Sequence, residues 1–483
     1  MVRATNIDAT AVNTIRWLST TEATIVVPVY QRQYRWDIGG CEQLLADIRA
    51  AADSEHRYTH FIGSILSSGS AESASEDLVL IDGQQRITTL MLLIAALHHT
   101  VKDVDPALAA DLHKVLVAAD DPTRTKLRPH RAWAQVFENV VLDRHPADGL
   151  RDSRFDDNYA FFRSQVPPEE VPQVWHGLQR LEHVSITLGG DANAQQIFES
   201  LNSTGEPLRD HELIHNYVLM GLTRAEQSEI EDDFWLPIEQ NTGESIASFW
   251  RHYLVMTIGR RIDVVGGRGV YDAFRHRFPR LHLDTLRELA AEWREFSEVY
   301  RTLMEPSREA DADIAKHLGY LGTFGQTMYP LMMRAYRDYQ DGDLSKDALL
   351  VELVQIQSLL IRRAVVGLGI DDLVARLCRA REDGSTALTT AIARIMPSDE
   401  RVRVALKYGE LPHPVYVLGR LAEVTSLAEL DVEPIFPLAP GDAWSGDGVR
   451  QWADFSEDEQ NSHRALAQTL GNLTLLEEHL AEA

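Results

Sequence analysis

Five consecutive residues, Asp82-Gly83-Gln84-Gln85-Arg86, hold the densest group of chemically useful side chains in the chain. They follow a short apolar run at 78–81 and precede a strongly apolar stretch at 87–99. That pattern predicts a buried strand, a tight turn and a helix. The first backbone N–H groups of a helix have no partner inside it, and the helix dipole adds partial positive charge there. A phosphate suits such an end, and Gly83 lets the backbone approach it closely. Arg86 adds a guanidinium able to grip two phosphate oxygens. Gln84 or Gln85 would position a water or a γ-phosphate oxygen, and Asp82 would hold Mg2+. Aspartate with glutamine three residues later is equally the spacing of a capping box, which needs no ligand. Spacing leaves both readings open.

A second group is Pro28-Val29-Tyr30-Gln31-Arg32-Gln33-Tyr34-Arg35-Trp36. Arg32 or Arg35 would pair with phosphate while Tyr30, Tyr34 or Trp36 stacks on a base. Taken alone, the segment fits better as an edge strand whose aromatics fill core while its arginines face water. The third group runs from Phe198 to Leu208. Gly205 can end one helix and Pro207 open the next segment. Neither explains Asn202, Ser203 and Thr204, whose amide and hydroxyl groups would contact a nucleotide or its metal. Basic clusters at 124–131 (with Arg124, Arg128 and Arg131), at Arg260, Arg261 and Arg268, and at 275–280 are candidate contacts for DNA phosphates. A solvated face laced with internal salt bridges is the commoner meaning of such runs.

The elements that must position these groups follow from pattern. A chain of 483 residues predicts two or three domains. Strands are expected at 23–27, 60–67, 78–81 and 181–188, and helices at 87–99, 193–201 and 212–221. From about 225 the pattern is mostly helical, with helices at 318–336 (kinked at Pro330), 348–366 and 373–381. Prolines from Pro397 to Pro440 break up the last hundred residues. The expected division is 1–225, 226–384 and 385–483, with no internal repeat. No apolar run has the length of a membrane span and the first residues lack a signal-peptide core, so a cytoplasmic protein with no membrane partner is expected. Cys41 and Cys378 are the only cysteines, too few for a disulfide framework or a zinc knuckle. The net charge of −26 opposes indiscriminate binding to a phosphate backbone, so contact with DNA needs a local basic surface. The sequence has no Walker-type, H-E-x-x-H or G-x-S-x-G motif.

Taken together, the three groups resemble the N-terminal domain of GmrSD-type modification-dependent restriction proteins, which include the phosphorothioate-sensing SspE members. The resemblance rests on Pro28, Tyr30, Gln31, Arg32, Tyr34 and Trp36, on Gly63 and Ser64, on Asp82 to Arg86, and on Phe198, Asn202, Gly205 and Leu208. It is strong to about residue 225 and extends weakly through Ile361-Arg362-Arg363 and Met396 to Asp399. It implies an α+β chain: a ParB/sulfiredoxin-like mixed α/β domain, a mostly helical region and a small C-terminal HNH-like remnant. It also implies Mg2+-dependent hydrolysis of a nucleoside triphosphate, GTP or UTP, linked to recognition of modified DNA in anti-phage defence. The phosphates would lie at Asp82, Gly83, Gln84, Gln85 and Arg86, with Tyr30, Gln31 and Arg32 alongside.

In such proteins an HNH-like nuclease usually follows. The segments 432–437 and 471–476 are similar to its two signatures, but Pro434 stands where a histidine base is needed. Proline has no titratable group to activate water. His463 and His479 are read as plain polar residues. Residues 385–483 are therefore expected to cleave nothing themselves, with a nuclease subunit or other defence proteins as partners and a homo-oligomer as a possible state. Three alternatives stay open: a non-catalytic nucleotide- or DNA-binding regulator, a ParB-like module whose arginine turn meets DNA phosphate, and a fragment of a nicking enzyme whose nuclease lies outside this chain.

Overall fold

The computed structural model describes residues 7–54, 59–69, 77–129, 131–144, 153–189, 197, 208–262, 268–279, 281–424, 427, 430–446 and 448–477. The chain divides into two compact units, Met1–Glu231 and Asp232–Ala483, so the proline-rich last hundred residues fall inside the second.

The first unit is built on a six-stranded mixed sheet in the order β1-β6-β3-β4-β2-β5. Its strands are β1 (Ile7–Asn13), β2 (Ile25–Val26), β3 (His60–Gly69), β4 (Leu78–Asp82), β5 (Leu127–Arg128) and β6 (Leu181–Leu188). Strands β4, β2 and β5 are mutually parallel, with Ile25 opposite Leu78 and Leu127. Parallel pairing makes neighbouring strands end on the same side. The chain leaving β2 enters the 28–36 segment, and the chain leaving β4 enters the 82–86 turn. Two motifs some fifty residues apart in sequence are thereby delivered to one edge of the sheet, where open α/β sheets hold their ligands. Strand β3 runs antiparallel to β4, with Leu66 opposite Asp82, so its first residues lie at the same edge.

Helix α3 (Gln84–Val101) is the centre of this unit, with an unbroken buried run from Ile87 to Leu97. A helix that is apolar all round must be covered all round. Helices α4 (Pro106–Leu116), α5 (Arg131–Val141) and α6 (Arg154–Gln165) pack against it. Helices α1 (Thr14–Thr20), α2 (Ile38–Asp53), α7 (Val171–Leu178) and α8 (Asp210–Leu219) complete what positions the site. The helix expected at 193–201 lies outside the described residues.

The second unit is mostly helical. Its aromatic core centres on Trp250, with Trp235 stacked on it at 5.6 Å and Phe274 and Trp293 edge-on at 5.5 and 5.4 Å. The single kinked helix expected at 318–336 is two helices, Ala312–Gly322 and Tyr329–Gln340. Gly322 and Gly325 (φ 76°) separate them, and Pro330 sits in the first turn of the second, where its missing N–H costs nothing. Among the described residues no helix is long and apolar enough to cross a membrane.

Four helices of this unit are tied by a buried ionic group. Arg381 donates to Glu352 at 2.8 Å and pairs with Asp338 at 3.0 Å, while Ser385 donates to the other Glu352 oxygen at 2.7 Å. The Arg381 and Glu352 side chains are 9% and 3% exposed. Removing one partner strands the other's charge away from water. Glu352→Ala is expected to lower unfolding stability by about 3 kcal/mol, read from a urea transition at neutral pH. The double change Glu352→Met with Arg381→Leu should cost less than the single one. A single variant with an unshifted midpoint would show that the pair contributes nothing.

Candidate functional site

Gly83, not Asp82, occupies the N-cap of α3, in the left-handed conformation (φ 98°, ψ 2°) and with no side-chain cap. The capping-box reading of the motif therefore fails: the aspartate lies one residue too early. Its carboxylate instead faces Arg86, with 3.3 Å between Asp82 Oδ2 and Arg86 Nη2. The other Arg86 amino group donates to the Ile62 carbonyl at 2.7 Å. The Asp82 and Arg86 side chains keep 24% and 26% exposure. Burial lowers the pKa of Arg86, partly countered by Asp82, yet a guanidinium stays charged at any physiological pH.

Room for that guanidinium comes from Gly63. A β-carbon there would lie 2.1 Å from Arg86 Nη1, and the residue has φ 96°. At this point the pairing of β3 with β6 shifts register between Phe61 and Ser64, which turns the Ile62 carbonyl onto Arg86.

Both glutamines of the turn are buried, and their side chains bind the 28–36 segment rather than open space. Gln84 Nε2 donates to Arg32 O at 2.6 Å. Gln85 Nε2 donates to Gln33 O at 3.0 Å, and its Oε1 accepts from the Arg35 N–H at 2.8 Å. Gln31 Nε2 returns a bond to Ile81 O at 2.5 Å. These partners give Gln84, Gln85 and Gln31 a loop-positioning role, in place of the water-orienting role expected for the first two. Tyr30 is a correction: it is 4% exposed, with burial raising its pKa, so its ring is core and has no face for a base. Arg32 is half-buried. Tyr34 OH lies 2.7 Å from Thr89 Oγ1 and accepts from Asn158 at 2.9 Å.

The expected DNA contacts separate. Arg35 lies at the motif edge and pairs with Glu212 of α8 at 3.0 Å. Arg128 is level with the start of β4, opposite the end that carries Asp82. It pairs with Asp77 at 3.2 Å, and Arg124 pairs with Asp120 and Asp121 at 2.9 and 3.1 Å. Lys126, in the same basic run, points inward with its ammonium 2.7 Å from Leu18 O. Arg131 begins α5, and its side chain lies outside the described residues, as do Asn202 and Thr204.

Sequence reasoning missed His183 of β6. It is fully buried, its Nδ1 is 3.0 Å from Thr14 Oγ1, and its Nε2 has no hydrogen-bond partner among the described residues. Burial, then the positive charge of Arg86, pushes its pKa down to about 4. No spacing rule links residue 183 to residue 86. Asn158 was missed for the same reason: it bridges Tyr34 OH and Trp36 O from helix α6, more than a hundred residues away.

In the second unit, the two segments expected to resemble nuclease signatures pair as antiparallel β7 (Leu430–Pro434) and β8 (Leu473–Glu477), with Pro434 opposite Leu473. His463 is structural rather than plainly polar. Its Nε2 lies 2.8 Å from Pro437 O, and its ring packs edge-on against Trp452 at 5.1 Å. His479 lies outside the described residues. Among the described residues, no cluster of three or more His, Cys, Asp or Glu side chains could hold a metal.

Residues 15–219 match the profile of the family described as GmrSD restriction endonuclease, N-terminal domain. That region is similar to the N-terminal domain of GmrSD-type restriction endonucleases. It spans under half of the sequence and includes all of the motif edge described above. No curated protein matches the chain.

Two outcomes test this geometry. Gly63→Ala should displace the Arg86 guanidinium and lower the melting temperature by several degrees, on the order of 1–3 kcal/mol of backbone strain; an unchanged melt would show that the guanidinium moves aside freely. His98, His99 and His183 are each held near 4, chiefly by burial. The unfolded chain takes up these protons near pH 6.5 and the folded one resists until about 4. Stability is therefore full above pH 6.5 and declines as pH falls towards 4. Urea midpoints at pH 7.5 and pH 5 check this, and equal midpoints would refute it.

Proposed function

We propose that the N-terminal unit binds and hydrolyses a nucleoside triphosphate, GTP or UTP, with its phosphates at the Asp82–Arg86 turn. On this reading the chain is the nucleotide-driven sensor of modified DNA in an anti-phage restriction system. The observation that carries it is the start of α3. A left-handed glycine opens an 18-residue helix with no side-chain cap, and a guanidinium about a quarter exposed, held by Asp82 and the Ile62 carbonyl, stands one turn on. Uncapped first-turn amides, the helix dipole and a forked cation together make an anion site.

The roles divide by what each group touches. Backbone amides of the turn and Arg86 receive the phosphates, and Gly83 allows close approach. Gln84, Gln85 and Gln31 fix the 31–35 backbone beside the turn, so that segment is in place before substrate arrives. Asp82 is a single carboxylate, which suits Mg2+ only where phosphate oxygens and waters supply the other ligands. A triphosphate at this turn would meet that requirement, and Mg2+ bound there would neutralise charge developing on the phosphates. Binding or hydrolysis would then bias the helical region 226–384 and the nuclease-like remnant 385–483. Cleavage itself falls to a nuclease outside this chain.

A binding-only regulator is the second reading, favoured by the fact that both turn glutamines already hold backbone groups. Phosphate release from each of the four common triphosphates, with and without phosphorothioated or glucosylated DNA, separates the two. Turnover of GTP or UTP is expected, with Arg86→Ala slowed by on the order of a hundredfold or more while its circular dichroism stays that of the wild type. Binding of GTP without any release of phosphate would leave the regulator reading standing. Normal turnover in Arg86→Ala would remove the turn as the site.

A further inference from the structure

A second place on the same loop has the chemistry of a nucleotide receptor. Beyond Gln85, between the 33–37 segment, α5 and the start of α6, lies a hollow of about 990 Å3. Aromatic and cationic groups line it together. Trp36 and Trp133 offer half-buried indoles to it. Beneath them Phe155 is buried and stacked on Tyr34, with ring centroids 5.2 Å apart and planes 15° from parallel. Arg35, Arg154 and Arg209 are exposed at its rim.

The two carboxylates of the lining keep their charge, but each is held at the start of a helix by hydrogen bonds. Asp37 accepts from the Gly40 N–H at 2.9 Å, and Asp156 accepts from Ser153 N at 3.2 Å and Ser153 Oγ at 2.6 Å. Glu212 meets Arg35 from α8, while Arg154 uses one amino group on the Arg35 carbonyl at 2.9 Å. In a chain of net charge −26, the hollow brings Arg35, Arg154 and Arg209 together against Asp37, Asp156 and Glu212, a locally balanced patch rather than an acidic one. The floor is also fixed in advance. Asn158 donates to Tyr34 OH and Trp36 O, both at 2.9 Å, and Gln85 holds the Arg35 N–H.

We propose that this hollow binds one nucleotide unit, its base against Trp36 and Trp133 and its phosphate between Arg154 and Arg209. Indole faces stack on any base, and guanidiniums grip phosphate. The volume lies in the range of small-molecule sites. This receptor is distinct from the 82–86 turn but adjoins it through the loop: Gln85 holds the backbone of Gln33 and Arg35, which line the hollow, so a ligand here pulls on the same loop backbone that the turn's glutamines hold. The nucleotide has two sources: a free nucleotide, or one residue of a DNA strand.

The test uses the full chain without Mg2+, so that no hydrolysis is required and failure of the hydrolase reading leaves it intact. Tryptophan fluorescence is titrated with GMP in one arm and with a single-stranded oligonucleotide carrying 2-aminopurine in the other. Quenching by GMP identifies the free nucleotide; quenching by the oligonucleotide alone identifies the strand. In either case Arg154→Glu with Arg209→Glu should weaken binding about tenfold or more. Arg209→Glu alone, an exposed change that leaves the Arg154 bond to the loop in place, should weaken it in the same direction. No quenching by either probe, or quenching that both variants leave unchanged, overturns the proposal.

Discussion

The pairing of two glutamine amides with a neighbouring backbone is the constraint on which the motif edge depends. Gln84 and Gln85 leave the first turn of α3 and bind Arg32 O, Gln33 O and Arg35 N. Gln31 answers on Ile81 O. A primary amide can donate and accept at once, which lets one side chain fix a strand-like segment from both of its polar edges. The bonds are shielded from water, and a shielded polar group left without its partner is costly. The 31–35 loop therefore has one low-energy placement, and Arg35, Trp36 and the turn itself inherit it.

Much of this could be read from the letters, and the limits are physical. Strand β6 and the long apolar helix were legible because periodicity and length are local properties. The three glutamines were legible as important but not in role, since an amide drawn to a triphosphate and one drawn to a backbone carbonyl are spelled alike. Tyr30 shows the same ambiguity from the other side: an aromatic beside arginines reads as a stacking platform until the fold buries it. His183 and Asn158 were invisible, because their partners arrive through sheet pairing and helix packing. Pro330 reads as a kink by itself, but the helix already ends at Gly322 and restarts only at Tyr329, so the proline falls in a first turn.

Charge was the least legible property. The sequence offers several arginine clusters, and the fold sends them to different places. Those around residues 124–128 meet nearby aspartates at the far end of β4, while Arg35, Arg154 and Arg209 converge on one hollow although they come from three separate parts of the chain. Clustering in sequence and clustering in space are independent here.

Lys126 carries that point furthest. Its side chain is 1% exposed, with its amine directed at the Leu18 and Lys114 carbonyls near the ends of two helices. There it meets the negative poles of both helix dipoles and joins them like a rivet. A cation so placed is invisible to a passing polyanion, and neutralising it would loosen architecture rather than abolish attraction. At the centre of a basic-looking stretch, Lys126 thus acts as internal mortar.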